Sequence, residues 1–165
     1  MTGHLLKQKY KDYMEQVSGL IRMLKIVFWT VVALPLLYVS VCLYAGLPGQ
    51  TFAADRASSY VLDMAGVVAT VALVPFALGY IGRRLGQKVQ AEKSLPDAIR
   101  FYRLWSLVRM AVLFAVVSYN LVVYTLSSSD NSIGILCAII GFISYFLVMP
   151  TDRKVMSDLD IELND

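Results

Sequence analysis

Few side chains in this sequence could do chemistry, and their positions restrict what that chemistry could be. There is one histidine, His4, and there are two cysteines, Cys42 and Cys137. Both cysteines sit inside long apolar runs, where a lone thiol behaves as a small hydrophobe. A protein metal site draws several His, Cys or carboxylate ligands together at characteristic spacings, and no such set occurs here. Nor is there a glycine-rich phosphate loop or a nucleophile motif. The expectation is therefore no catalytic residues, no metal and no cofactor.

Two other groups of residues stand out. Asn120 is the one strongly polar side chain well inside an apolar run, and an amide there must find a partner or remain costly. Asp63 lies two residues into a second such run. Pro35 and Pro75 fall within runs and each removes a helical hydrogen bond. These four are the candidate interhelical polar or pathway positions. The second group is Arg100, Arg103, Trp105 and Arg109, cations and a ring suited to headgroups or to a partner. A proton-driven rotor or a small multidrug exporter needs a carboxylate deep in the apolar interior. None is present, so both are excluded.

The elements that must position these residues follow from hydropathy. Of the 165 residues, 58% are hydrophobic and 16% charged, and mean hydropathy is +0.62. Soluble domains average about 45–50% apolar and about 25% charged. The excess collects in four runs: 26–45, 61–81, 110–126 and 133–149. A membrane helix needs about 20 residues, with a range of about 17–25, so all four are expected to span, the last two at the short end. Lipid leaves backbone groups no partner but the helix itself. The expected fold is all-α: a single integral membrane domain, a four-helix transmembrane bundle of two hairpins. The first run is too long and too late for a signal peptide, and is expected to remain as an anchor.

Charge placement sets the direction. Fourteen of the fifteen Lys and Arg residues fall in segments 1–25, 82–109 and 150–165; only Arg56 does not. The positive-inside rule then predicts that both termini and the middle connection are cytoplasmic. Compact outer loops and the lack of glycosylation acceptors suggest a bacterial inner membrane. The net charge of +3 is small and sorted by side, which argues against a nucleic-acid partner.

Outside the apolar runs the pattern stays helical. Leu6, Tyr10, Tyr13, Val17, Ile21 and Leu24 recur at steps of three and four, predicting an amphipathic helix over 1–25 that either continues into the first span or lies on the leaflet. Ser94-Leu95-Pro96-Asp97 reads as a helix start, with helix unbroken to Leu126. Tyr102 and Trp105 are expected near the headgroups. In the acidic tail, Val155, Leu159 and Leu163 lie four apart. A short helix there could pack on the middle segment or bind a neighbour.

Small residues predict close contacts in lipid: Ala65, Ala69 and Ala72 on the second run, Gly134, Ala138 and Gly141 on the fourth, and Gly82 with Gly86. The flanks Leu20-Ile21-Arg22-Met23 and Leu107-Val108-Arg109-Met110 also suggest two related hairpins. With so bare an interior, the expected role is non-enzymatic: an accessory or scaffold subunit docking a membrane or cytoplasmic protein through its cytoplasmic helices. The alternative is a small oligomeric transporter or channel for an ion or small solute, formed as a homo-oligomer.

Overall fold

The computed structural model describes residues 2–46, 56–91, 95–126 and 132–159. These residues are almost wholly helical. Helix α1 is Thr2–Tyr44 and α2 is Arg56–Pro75. A π-helical turn, Phe76–Ile81, leads directly into α3, Gly82–Ala91. Then come α4, Leu95–Leu126, α5, Ser132–Val148, and the short α6, Asp152–Asp158. By length and composition three helices can cross a membrane: Met14–Tyr44, Tyr60–Leu85 and Pro96–Thr125. A fourth counts only if α5 and α6, bent by 69°, form one span. Taken alone, the 17 residues of α5 reach about 25 Å, just short of a hydrocarbon core of about 30 Å.

Helix boundaries reflect local chemistry. Helix α1 is unbroken from Thr2 to Tyr44, so the amphipathic stretch over 1–25 continues into the first apolar run, the first of the two arrangements the sequence allows. Nothing between Thr2 and Tyr44 stops it; Pro35 removes one hydrogen bond but the helix continues through. It ends at Gly46, whose φ of +64° is the left-handed cap that glycine adopts without strain. Helix α4 begins at Leu95, with Pro96 and Asp97 in its first turn, as the sequence predicts. Ser94 and the turn at 127–131 lie outside the described residues. Pro75 does not break its helix. It ends the α-helical stretch, and the backbone widens into the π turn.

Helix α4 is the hub. It packs along α5 most extensively, then along α2 and α1, while α1 hardly meets α2. The two hairpins are therefore not built alike: α4 and α5 form a tight pair, whereas α1 and α2 meet only through α4. Between α4 and α5 the helices come close at Gly141, where an added Cβ would lie 2.8 Å from Cγ2 of Val117. Gly134 likewise sits against the Asn120 backbone oxygen, 3.4 Å from where its Cβ would be. So Gly134, Ala138 and Gly141 do form the contact face of α5, all three buried. Val117 is β-branched and has little rotamer freedom in a helix. Gly141→Ala should thus lower stability by about 1 kcal/mol, read as an earlier unfolding midpoint in an SDS titration. An unchanged midpoint would show that the helices part without strain.

The alanine stripe on α2 is a correction. Ala65 and Ala72 are exposed and Ala69 half-buried; the packed face is instead Gly66, Thr70, Val74, Ala77 and Ile81. The two stripes lie on adjoining faces, and composition alone does not rank them. Gly66 permits the closer approach and Thr70 has a polar partner to reach. Gly82 lies beside the Arg109 guanidinium, while the surroundings of Gly86 lie outside the described residues.

Along the apolar stretches of α1, α2 and α5 a belt of aliphatic side chains faces outward. Leu37 of α1 is 65% exposed, Val71 of α2 69% and Leu147 of α5 60%. Water would not support so broad an apolar surface; a bilayer would, and the three long apolar helices are compatible with an integral membrane protein. Polar groups along the belt satisfy themselves locally. Thr30 and Ser40 each donate to the carbonyl four residues back, which leaves no hydroxyl hydrogen for lipid to accommodate.

Candidate functional site

Two polar clusters interrupt the apolar packing. The first joins α2 and α4. Asn120 is 1% exposed. Its Nδ2 donates to Thr70 Oγ1 at 3.0 Å and to the Val116 carbonyl at 2.8 Å. Thr70 in turn donates to the Gly66 carbonyl at 2.8 Å. The chain of donors runs amide, hydroxyl, carbonyl, so every step has a partner. Gly66 completes the arrangement by having no side chain: an added Cβ would overlap the Asn120 side-chain oxygen. One turn outward, the Tyr119 hydroxyl donates to the Leu62 carbonyl at 3.2 Å. On the other flank of α4, Tyr38 and Thr125 share a hydrogen bond of 2.7 Å, which ties α1 to the same hub.

The second cluster closes the basic end of the molecule, where α1 and α4 extend past the outward apolar belt. Val17, Leu20, Ile21 and Leu24 of α1 are buried in one apolar cluster with Ala98 and Tyr102 of α4 and Val155 and Leu159 of α6. Val17, Leu24 and Val155 are each 0% exposed. The short helix α6 folds back beneath the bundle and is tied on three sides. Asp152 accepts from Lys25 Nζ at 2.7 Å, and Asp158 accepts from the Tyr102 hydroxyl at 3.1 Å. Lys154 Nζ donates to the Leu147 carbonyl at the end of α5, at 3.0 Å, which suits a helix C-terminus. Burial, and then the nearby Arg109 charge, draw the Lys154 ammonium below its ordinary range, and Asp158 opposes them. The Lys25–Asp152 pair is exposed and contributes little, of order 0–1 kcal/mol. The apolar contacts of Val155 and Leu159 hold α6 in place.

The residues singled out from sequence are dispersed. Asn120 meets α2, as an interhelical amide should. Asp63 is half-buried and engaged, and lies three residues before Gly66 on the same helix. Pro35 is buried and lines the grooves beside α4 and α5, and Pro75 is exposed on α2; neither bonds the Asn120 amide. Arg100 and Arg103 are exposed, free to meet headgroups or a partner, and Trp105 is half-buried beside Phe101 at 5.8 Å. Arg109 behaves differently from them. Its Nη2 points to the Leu78 carbonyl in the π turn at 3.4 Å, and its Nε has no partner among the described residues. Tyr102, expected near headgroups, is instead 4% exposed beneath α6.

Sequence reasoning missed Thr70, Gly66, Tyr38 and Thr125. None carries a distinctive local signal, because a hydroxyl in an apolar run normally bonds its own helix. Two grooves among the described residues lie elsewhere. An apolar groove of about 250 Å³ separates α1 from α5 over Val117 and Leu121, and one of mixed polar and apolar lining, of about 410 Å³, lies beside Tyr80, Arg83 and Arg84. Asn120 lines neither. Both cysteines are buried free thiols, and the described residues hold no grouping of three or more potential metal ligands. As arranged, the amide cluster can fix helix register, and the basic end can present a folded surface. Comparison with protein-family models, with curated proteins and with solved structures finds no match for this chain.

Proposed function

We propose that this chain is a polytopic membrane protein with both termini in the cytoplasm, spanning the bilayer as four helices with α5 as the short fourth. In this reading it is a non-enzymatic accessory or scaffold subunit. It docks a membrane or cytoplasmic protein through the helices of its basic end, in a bacterial inner membrane. The observation that carries the reading is a contrast. The membrane-level amide is already consumed by Thr70 and Val116, leaving no amide hydrogen there for a solute. At the basic end, α1, α4 and α6 carry the bundle's apolar core past the belt. Around it Arg22, Arg100 and Arg103 stay exposed. A rigid, cation-rimmed helical platform suits recognition of an acidic partner surface, since complementary charge aids encounter and register.

The alternative is a small oligomeric transporter or channel. It draws support from the face of α2 on which Ala65 and Ala72 are exposed and Ala69 half-buried, the kind of small-residue surface that helices of neighbouring copies use in lipid.

Topology and partnership are tested separately. Reporter tags fused to the two ends should both read cytoplasmic; tags on opposite sides would overturn the orientation. Purification in mild detergent should then recover a second protein in fixed stoichiometry, lost when Arg100 and Arg103 are both changed to Glu. A pure homo-oligomer that conducts solute in vesicles would replace the scaffold reading with the transporter one.

A further inference from the structure

The geometry points to a binding site for an anionic phospholipid, with its headgroup on Arg83 and Arg84 and its chain along α2. The inference rests on the membrane reading above and adds a specific ligand to it.

The site is built on one face of the α2–π–α3 rod. Phe76 stacks on Tyr80, with ring centroids 5.1 Å apart and planes 15° apart. The Arg84 guanidinium lies over the same Tyr80 ring, 5.3 Å from its centroid. A cation on a ring face is held in place before any ligand arrives. Arg83 and Gln87 complete the rim of the groove of about 410 Å³ beside Gly79. Among the described residues no carboxylate pairs with Arg83 or Arg84, so the two charges face an open groove unneutralised. An added Cβ on Gly79 would meet nothing within 4 Å, so the groove is open at that point.

The change of surface chemistry along the rod identifies the occupant. Leu73, Phe76 and Tyr80 are all exposed apolar or aromatic residues on the belt side of the two arginines. The strip therefore changes from apolar to cationic over about three helical turns. A water-soluble acidic peptide would match only the cationic half. A lipid with an anionic head and a hydrocarbon tail matches both halves in the right order. The planar fork of arginine suits phosphate oxygens. Arg100 and Arg103, by contrast, sit on α4 and line neither this groove nor the apolar one over Val117 and Leu121; they attract the leaflet only diffusely.

The test uses the full-length protein in vesicles of phosphatidylcholine with and without phosphatidylglycerol, followed by detergent extraction and native mass spectrometry of retained lipid. Wild type should retain phosphatidylglycerol in preference to phosphatidylcholine. Changing both Arg83 and Arg84 to Gln should reduce that preference by roughly thirtyfold, about fivefold for each charge. Gly79→Leu should reduce it as well, by filling the groove while leaving thermal stability unchanged. Changing both Arg100 and Arg103 to Gln should leave it nearly intact. Equal retention of the two lipids overturns the site, as does an equal loss from the two arginine pairs, which would mean diffuse attraction alone. Competition by free glycerol phosphate at equal concentration would also overturn it, since the tail would then contribute nothing. Carbonate washing separates this failure from that of the premise: a chain that washes off the membrane was never a spanning protein.

Discussion

Gly66→Val should destabilise the protein by about 3 kcal/mol, at the upper end of what overpacking costs. Even a single Cβ at position 66 overlaps the Asn120 side-chain oxygen, and valine adds two more atoms. Asn120 has nowhere to retreat. Its amide is held by Thr70 and by Val116 of its own helix, and the side chain is 1% exposed. Either α2 moves away from α4, or Asn120 rotates and leaves the Thr70 hydroxyl and its own amide short of partners. The SDS or thermal midpoint of purified protein should fall accordingly. The decisive measurement is the double-mutant cycle. In an Asn120→Ala background the obstacle is gone, and Gly66→Val should cost at least about 1 kcal/mol less than in wild type. Strict additivity would mean that glycine serves α2 for some reason unconnected with the amide. Asn120→Ala alone should cost little, since interhelical hydrogen bonds in membranes average about 0.6 kcal/mol. The amide then sets register more than it adds stability, and the glycine that accommodates it matters more.

Val155→Asp should release α6 from the bundle without unfolding the rest. Val155 is 0% exposed, and full burial of a valine side chain is worth about 1.5–3 kcal/mol. Losing it, and placing an unpaired carboxylate in its stead, exceeds what the exposed Lys25–Asp152 pair and the Tyr102 and Lys154 hydrogen bonds can offset. Trypsin should then cut after Arg153 and Lys154 at least about tenfold faster. The control is Ser157→Asp, which adds the same charge to an exposed position of the same helix and should leave the rate near wild type. If both variants are cleaved alike, α6 is not held by its apolar face. Partner capture should also fall in Val155→Asp if the platform depends on α6 being seated.

Much of this architecture is legible in the sequence. The start of α4 at Leu95 can be read from Pro96 and Asp97, because capping chemistry is local. Gly134, Ala138 and Gly141 can be read as a contact face, since each lies on the same side of a short helix with little else to offer. The tail helix can be read from Val155 and Leu159. Other features are hidden. Ala65, Ala69 and Ala72 look as good a packing face as Gly66 and Thr70, because hydropathy treats both as small and apolar enough. Arg109 looks like Arg100 and Arg103, yet only it turns inward to the Leu78 carbonyl. The π turn after Pro75 has no signature beyond the proline itself. The run over 1–25 looks separable from the first span, and only the unbroken helix shows that they are one rod.

By itself the amino-acid sequence determined an all-helical chain, where its long apolar helices run, and the gathering of its cations into three segments. Those properties depend on hydropathy and charge summed over many neighbouring residues, so they survive without knowledge of any contact. Tertiary structure alone decided that α4 is the hub, that Asn120 answers to Thr70 across Gly66, and that α6 closes the basic end over Tyr102. Each of these is a meeting of residues far apart in the chain, governed by which face of a helix turns toward which neighbour. A rotation of one helix by a third of a turn would exchange the partners while leaving the hydropathy profile unaltered.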